Sequence, residues 1–265
     1  MLYLRNKYTI RTDFLVVVGM ILLFIPIIVF FQVRFLTSTL LFFAIPAFYL
    51  IIRKPKQIKR LIAALLAGMI VSFIVDLLAE YNNAWSWAPI GQLIFPNKIF
   101  GLIPIDVLIW YFFWILFTIV YYEHFFEVKR LESEKISPQF KKAAIFFSSI
   151  LIIIVALFHL SPVLLQFRYM YLYIGLLGGA PFFYLIYKKP RLVGKLLKAS
   201  LFNIFLFLSF ELTALKLDQW RFPGNYIGQV QLFGLIFPLE EFIFWIVLGT
   251  PIILSYYELF IDDGE

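Results

Sequence analysis

Cysteine is absent from the chain, which excludes disulfides, thiol catalysis and cysteine-ligated metals. Histidine is scarce: only His124 and His159 occur, in different apolar stretches. That leaves little for a zinc or iron site, and no metal or cofactor is expected. Charge is low as well, with Asp, Glu, Lys and Arg making up 15% of the residues and hydrophobic residues 63%, whereas a soluble domain carries about 25% charge. A polytopic integral membrane protein is indicated, and any acid–base work falls to carboxylates or tyrosines. The net charge of +7 does not point to nucleic acid, because the basic residues are not gathered into one patch. Their spacing reads as topology.

Hydropathy predicts about eight transmembrane helices, over roughly 14–32, 36–52, 60–80, 100–124, 143–161, 169–187, 195–215 and 233–258. The first follows Arg5, Lys7 and Arg11. It lacks a small-residue cleavage site, so it reads as a retained span and not as a signal peptide. Placing the N-terminus in the cytoplasm collects eighteen of the 23 basic residues on that side and leaves Arg34, Lys98, Arg168, Lys216 and Arg221 outside. The positive-inside rule therefore predicts a multi-pass cell-membrane protein with both termini cytoplasmic.

The segment PAFYLIIRKPKQIKRLIAALL starting at Pro46 is echoed by PFFYLIYKKPRLVGKLLKASL starting at Pro181, an offset of 135 that Pro55 and Pro190 share. The same offset aligns Asp76 with Glu211 and Trp85 with Trp220. The triplet Ile90-Gly91-Gln92 recurs at Ile227-Gly228-Gln229, and FGLI recurs at Phe100 and Phe233. The expected architecture is all-α, with two tandem four-helix repeats, 1–135 and 136–265, parallel to one another and related by a pseudo-twofold axis along the membrane normal.

Acidic residues inside spans cost roughly 2.5–3.5 kcal/mol each on insertion scales, so they are expected to face the protein interior and to act there. Five qualify: Asp76, Asp106, Glu211 and the adjacent pair Glu240 and Glu241, all in the outer half of the bilayer. Asp106, Trp110 and Trp114 recur every four residues, and Glu241 precedes Trp245 by four, so an acid beside an indole occurs twice. The match of Asp106 is open. Counting from Pro104 and Pro238 it pairs with Glu240, and counting back from Tyr121-Tyr122-Glu123 and Tyr256-Tyr257-Glu258 it pairs with Glu241. The two prolines either begin helices or kink them. Plainer readings stand beside these: Asp76 with Glu80 facing water, Glu211 paired with Lys216, Asn203 packing or bonding to Glu211, and the Tyr-Tyr-Glu segments with His124 as interfacial belts. Trp85, Trp110, Trp220 and Trp245 are candidate substrate-binding rings, since aromatic faces stabilise cations by about 0.5–2 kcal/mol each. Carboxylates among such rings suit proton-initiated carbocation chemistry on a hydrocarbon.

An acid, a tryptophan nine residues on, an Ile-Gly-Gln loop and then Pro238-Leu239-Glu240-Glu241-Phe242, duplicated in tandem over nearly the whole chain, resembles the small membrane lycopene cyclases of the heterodimeric or fused two-domain type. The resemblance implies flavin-independent, non-redox cyclisation of a linear carotenoid end group, and the chain carries no Gly-x-Gly-x-x-Gly fingerprint. It implies a carotenoid or other polyisoprenoid as substrate and the lipid bilayer as partner, with Glu240 and Glu241 as the joint acid–base pair. The first half departs from the pattern, reading Pro104-Ile105-Asp106-Val107 with one acid. A carotenoid hydratase of the same lineage is the enzyme alternative, and a proton-coupled transporter of a lipophilic solute is the alternative from another class. A prenyltransferase is disfavoured because neither Asp13 nor Asp262-Asp263 forms an aspartate-rich diphosphate motif.

Overall fold

A hydrocarbon solvent forces each crossing segment to satisfy its own backbone, which only helices and closed barrels do. The computed structural model of the chain describes residues 7–53, 58–87, 90–127 and 136–262. Arg5, Lys54, Pro55, Lys56, Lys129, Arg130, Lys135, Asp263 and the repeat boundary after residue 135 lie outside the described residues. Among the described residues six helices are long and apolar enough to cross a membrane: Thr9–Phe31, Phe35–Arg53, Ile58–Tyr81, Ile105–Phe125, Gln139–Leu160 and Pro190–Lys216. Two helix pairs pass the same test only when taken together, Met170–Gly178 with Ala180–Lys188, bent by 40°, and Glu241–Val247 with Gly249–Ile261, bent by 56°; counted as one bent segment each, they are the sixth and eighth in chain order. These are called the first to eighth spans below.

The bends have local causes. Gly179 joins the two halves of the sixth span, and Pro181 opens the second half. In the eighth span a π-helical segment, Glu241–Val247, is followed by Pro251, whose missing N–H interrupts the ladder.

The fourth and eighth spans begin later than hydropathy places them. Residues 98–104 form the hairpin β2 (Lys98–Ile99) and β3 (Ile103–Pro104), and residues 229–238 form β5 (Gln229–Leu232) and β6 (Leu235–Pro238). Their shared Phe-Gly pair makes the turn: Phe100 and Gly101 have φ of 53° and 73°, and Phe233 and Gly234 have 50° and 80°. Left-handed backbone at two consecutive residues is what a tight hairpin requires. Apolar strands this short carry the same hydropathy as a helix end. Pro104 and Pro238 therefore end strands just before helices and kink nothing.

The centre of the bundle is filled by rings. Phe35, Phe42, Phe43, Phe207 and Phe210 are fully buried, with Phe43 and Phe210 centroids 5.0 Å apart. The fifth span is peripheral, and Ala143 is its one buried residue.

The basic connections share one end of the bundle. There Arg53 Nε bonds Asp13 at 2.8 Å, Arg60 bonds Asp262 at 2.9 Å, Lys195 pairs with Glu127, and Ser137 N–H donates to Ile261 O at 3.0 Å. The Tyr-Tyr-Glu segments are not interfacial belts. Tyr122 donates to Glu258, and Tyr257 donates to Glu123 at 2.5 Å, so matched positions of the repeat exchange hydrogen bonds inside the protein. His124 is buried beside Asp13, with Nε2 2.9 Å from Oδ2. A belt residue needs one wet end, whereas these side chains find their partners across the helix seam.

Candidate active site

At the other end of the bundle, the third and seventh spans finish in the same turn. Ala84 N–H donates to Ala79 O and Gln219 N–H to Ala214 O, both at 2.8 Å. Asn83 and Asp218 take left-handed φ of 54° and 55°. This is a Schellman-type close, in which the left-handed residue turns the chain back over its own helix. The next residue but one is the tryptophan, so each indole returns onto an acid one turn or so inside the helix. Trp85 Nε1 donates to Asp76 Oδ1 at 2.9 Å, and Trp220 Nε1 donates to Glu211 Oε1 at 3.1 Å. Tyr111 also donates to Asp76 Oδ1, at 3.3 Å. Both acids are fully buried, so neither the water-facing reading of Asp76 nor the pairing of Glu211 with Lys216 describes them. Asn203 donates to Ala199 O and not to Glu211.

The two returning loops meet as β1 (Ser86–Trp87) and β4 (Trp220–Arg221), pairing Ser86 with Arg221 and Trp87 with Trp220. Tyr226 ties them further, accepting from Gly224 N–H at 2.7 Å and donating to Ala84 O at 2.9 Å. Burial pushes its hydroxyl pKa up to about 12, so it remains a donor through the neutral range.

Asp106 and Glu240 serve as loop anchors. Asp106 accepts the backbone N–H groups of Ile94 at 2.7 Å and Phe95 at 2.8 Å, and Glu240 accepts that of Ile227 at 2.7 Å. The common role matches Asp106 with Glu240, as counting from the prolines does. The second half holds one more residue than the first between that acid and Tyr-Tyr-Glu. The π segment Glu241–Val247 lies in this interval and accommodates the extra residue, as wide single turns do. Glu241 therefore has no acidic counterpart. The residue after Asp106 is Val107, buried in the core.

Between the third, fourth, fifth, sixth and eighth spans lies a cavity of about 210 Å³. All six tryptophans of the chain line it: Trp85, Trp87, Trp110, Trp114, Trp220 and Trp245. The rings interlock, with centroids 4.3 Å apart for Trp114 and Trp245, 5.1 Å for Trp110 and Trp245, and 5.6 Å for Trp87 and Trp220. Among the described residues, Glu241 is the one carboxylate in the lining. Tyr171, edge-on to Trp85 at 5.0 Å, donates to Glu241 Oε2, and the carboxyl of Glu211 lies beside that of Glu241. Asp76 and Glu211 sit behind the indoles they orient.

No family model, no curated protein and no solved structure matches this chain. Of the five acids singled out by sequence, Glu241 meets the cavity, Glu211 backs it, Asp76 orients Trp85 and Tyr111, and Asp106 and Glu240 hold loops. Of the four candidate rings, Trp85, Trp110, Trp220 and Trp245 all reach the wall. Tyr171 and Tyr111 escaped sequence reasoning, because their partners lie 70 and 35 residues away and no periodicity links them. Among the described residues no group of three or more His, Cys, Asp or Glu side chains is placed to hold a metal ion.

An acid at the end of a ring-walled chamber can deliver a proton to a carbon–carbon double bond. With Glu211 adjacent, one carboxyl can carry the proton while the other accepts hydrogen bonds. The surrounding indole faces are suited to stabilising the cation that results.

Proposed function

We propose that this protein is a membrane enzyme that isomerises a linear polyene, of the carotenoid class, by proton-initiated cyclisation of an end group. The observation that carries the reading is Glu241 as the carboxylate of a cavity walled by every tryptophan of the chain. Protonated Glu241 adds its proton to the terminal double bond, leaving a tertiary cation. An internal double bond attacks that cation, forming the ring carbon–carbon bond and moving the charge into the ring. The carboxylate left on Glu241 then removes a proton from a carbon next to the cation, which sets the ring double bond. One proton enters and one leaves, so no oxidant, reductant or flavin takes part. Glu211 and Tyr171 position the Glu241 carboxyl, and the indoles contribute about 0.5–2 kcal/mol each to the cation.

The matched acid–indole bonds, matched helix-ending turns and exchanged Tyr–Glu bonds support a tandem duplication, with halves 1–135 and 136–265 related by a pseudo-twofold axis. The distribution of Lys and Arg supports placing both termini in the cytoplasm.

Expression in a lycopene-accumulating host, with pigment chromatography, tests the reading. A cyclised product that disappears in Glu241→Gln is expected. Unchanged lycopene with the protein in the membrane refutes it. A product heavier by one water would move the assignment to a hydratase. One observation favours the transporter reading: Tyr257, bonded to Glu123, lines the cavity's opposite end, so carboxyl-linked groups flank both ends of the chamber. Solute-driven proton uptake into vesicles without any new pigment would support it.

A further inference from the structure

The cavity runs beside the third span, although the repeat provides an equivalent place beside the seventh. In the register that pairs Pro46 with Pro181, the wall residues Ala67, Gly68 and Ser72 fall opposite Phe202, Asn203 and Phe207. Those three are buried in the core. Phe202 stacks on Tyr121 at 5.2 Å, and Phe207 stacks on Trp245 at 4.6 Å with the planes 10° apart. Val75, also in the wall, falls opposite Phe210, which packs edge-on against Phe42 and Phe43 at 5.3 and 5.0 Å. Small side chains leave space on one side, and larger ones, rings at three of the four matched positions, occupy the equivalent space on the other. The acid follows the space, since Glu241 faces the open side and Val107 takes the place beside Asp106.

The open side is elongated. Along the third span its wall extends from Ala64 to Val75, roughly 17 Å of helix at 1.5 Å per residue. Tyr171 and Glu241 lie at one end, and Phe260 and Ile261 at the end near the basic connections.

We propose that the protein has a single slot, which takes one linear unsaturated hydrocarbon lengthwise with its reacting end at Glu241 and its tail toward Ile261. Each binding event therefore modifies one end group, and a two-ended substrate leaves and returns reversed before its second end reacts. The small side chains at 67, 68 and 72 set the bore, and the seventh span carries the plug of the second slot. This rests on the polyene reading of the occupant.

Because every tryptophan lines the slot, indole emission reports its occupant directly. Titration of the purified full chain in detergent with lycopene, a linear conjugated polyene, should quench that emission and saturate at one molecule per chain. Ser72→Phe and Gly68→Asn copy the seventh span into the third and should each weaken quenching at least tenfold. At Gly68 an added Cβ would come within 2.7 Å of Ile115 Cδ1, and Ile115 is itself a wall residue. Leu66→Phe, on the lipid-facing side of the same helix, should leave binding unchanged. Saturation at two molecules per chain, or wild-type affinity in both folded plug variants, overturns the single slot and leaves the proposed chemistry standing. Absence of any lycopene binding overturns both. In a time course, the singly modified polyene should accumulate before the doubly modified one, and a doubly modified product without a free single intermediate overturns the one-end rule.

Discussion

The two adjacent glutamates of the eighth span should respond in opposite ways to the same small change. Glu240 accepts one backbone hydrogen bond, from Ile227 at 2.7 Å, and does not reach the cavity. Gln at 240 keeps an acceptor oxygen in nearly the same place, so a charge-assisted bond becomes a neutral one at a cost of about 1 kcal/mol. For a chain of this size that is a fall of about 2–4 °C in thermal midpoint. Ala at 240 removes the acceptor and leaves the Ile227 N–H without it, costing about 1–3 kcal/mol. Turnover per folded molecule should stay within a factor of about three in both, on the reasoning that Glu240 acts on a loop. Gln at 241 leaves the Tyr171 hydroxyl an acceptor, so the fold should lose little. It removes the transferable proton, however, and general acid catalysis is worth about 10²–10⁴-fold. The assay is product formed per mole of purified protein in detergent with lycopene, alongside a melting curve of each variant. A stable Glu241→Gln protein with normal turnover, or an inactive but normally stable Glu240→Gln protein, would refute the division of labour.

Tyr171→Phe removes a buried bond to the Glu241 carboxyl, of the kind worth about 1.5–3 kcal/mol, so it should lower the melting midpoint by about 2–4 °C for each kcal/mol lost and turnover about tenfold; melting curves and steady-state kinetics check it. Gly175 has no space for a side chain, since a Cβ there would run into the ring of Phe244. Gly175→Ala should therefore destabilise by about 1–3 kcal/mol through overpacking, read as a lowered melting midpoint. At the basic end, a double-mutant cycle of Tyr122→Phe with Glu258→Gln should show a coupling above about 0.5 kcal/mol. Tyr122→Phe with Glu240→Gln, at opposite ends of the bundle and without shared partners, should add within about that amount.

Much of the architecture was legible before any coordinates. Length and hydropathy alone place eight spans, because a membrane crossing needs about twenty apolar residues whatever it packs against. The offset of 135 residues aligns Asp76 with Glu211 and Trp85 with Trp220, but only the helix-ending turns show that each indole folds back to donate to the acid nine residues before it. What hydropathy could not separate was an apolar strand from an apolar helix, and so the hairpins at Phe100 and Phe233 were read as helix. The Tyr-Tyr-Glu segments looked interfacial because their partners lie 136 and 134 residues away.

The sequence by itself determined the membrane class, the duplicated pattern and the presence of costly acids in it. Only the tertiary structure decided which acid has a chamber to act in. Consecutive residues on a helix point about 100° apart, so Glu240 and Glu241 share a span and a neighbourhood yet face different surroundings. One turns toward the loop it holds, and the π segment brings the other to the cavity. That cavity exists because alanine, glycine and serine on the third span meet the indoles of the other helices. Across the bundle, Phe202, Asn203 and Phe207 are buried at the positions 135 residues on. Volume left between helices far apart in sequence is a property of their packing, and no single segment contains it.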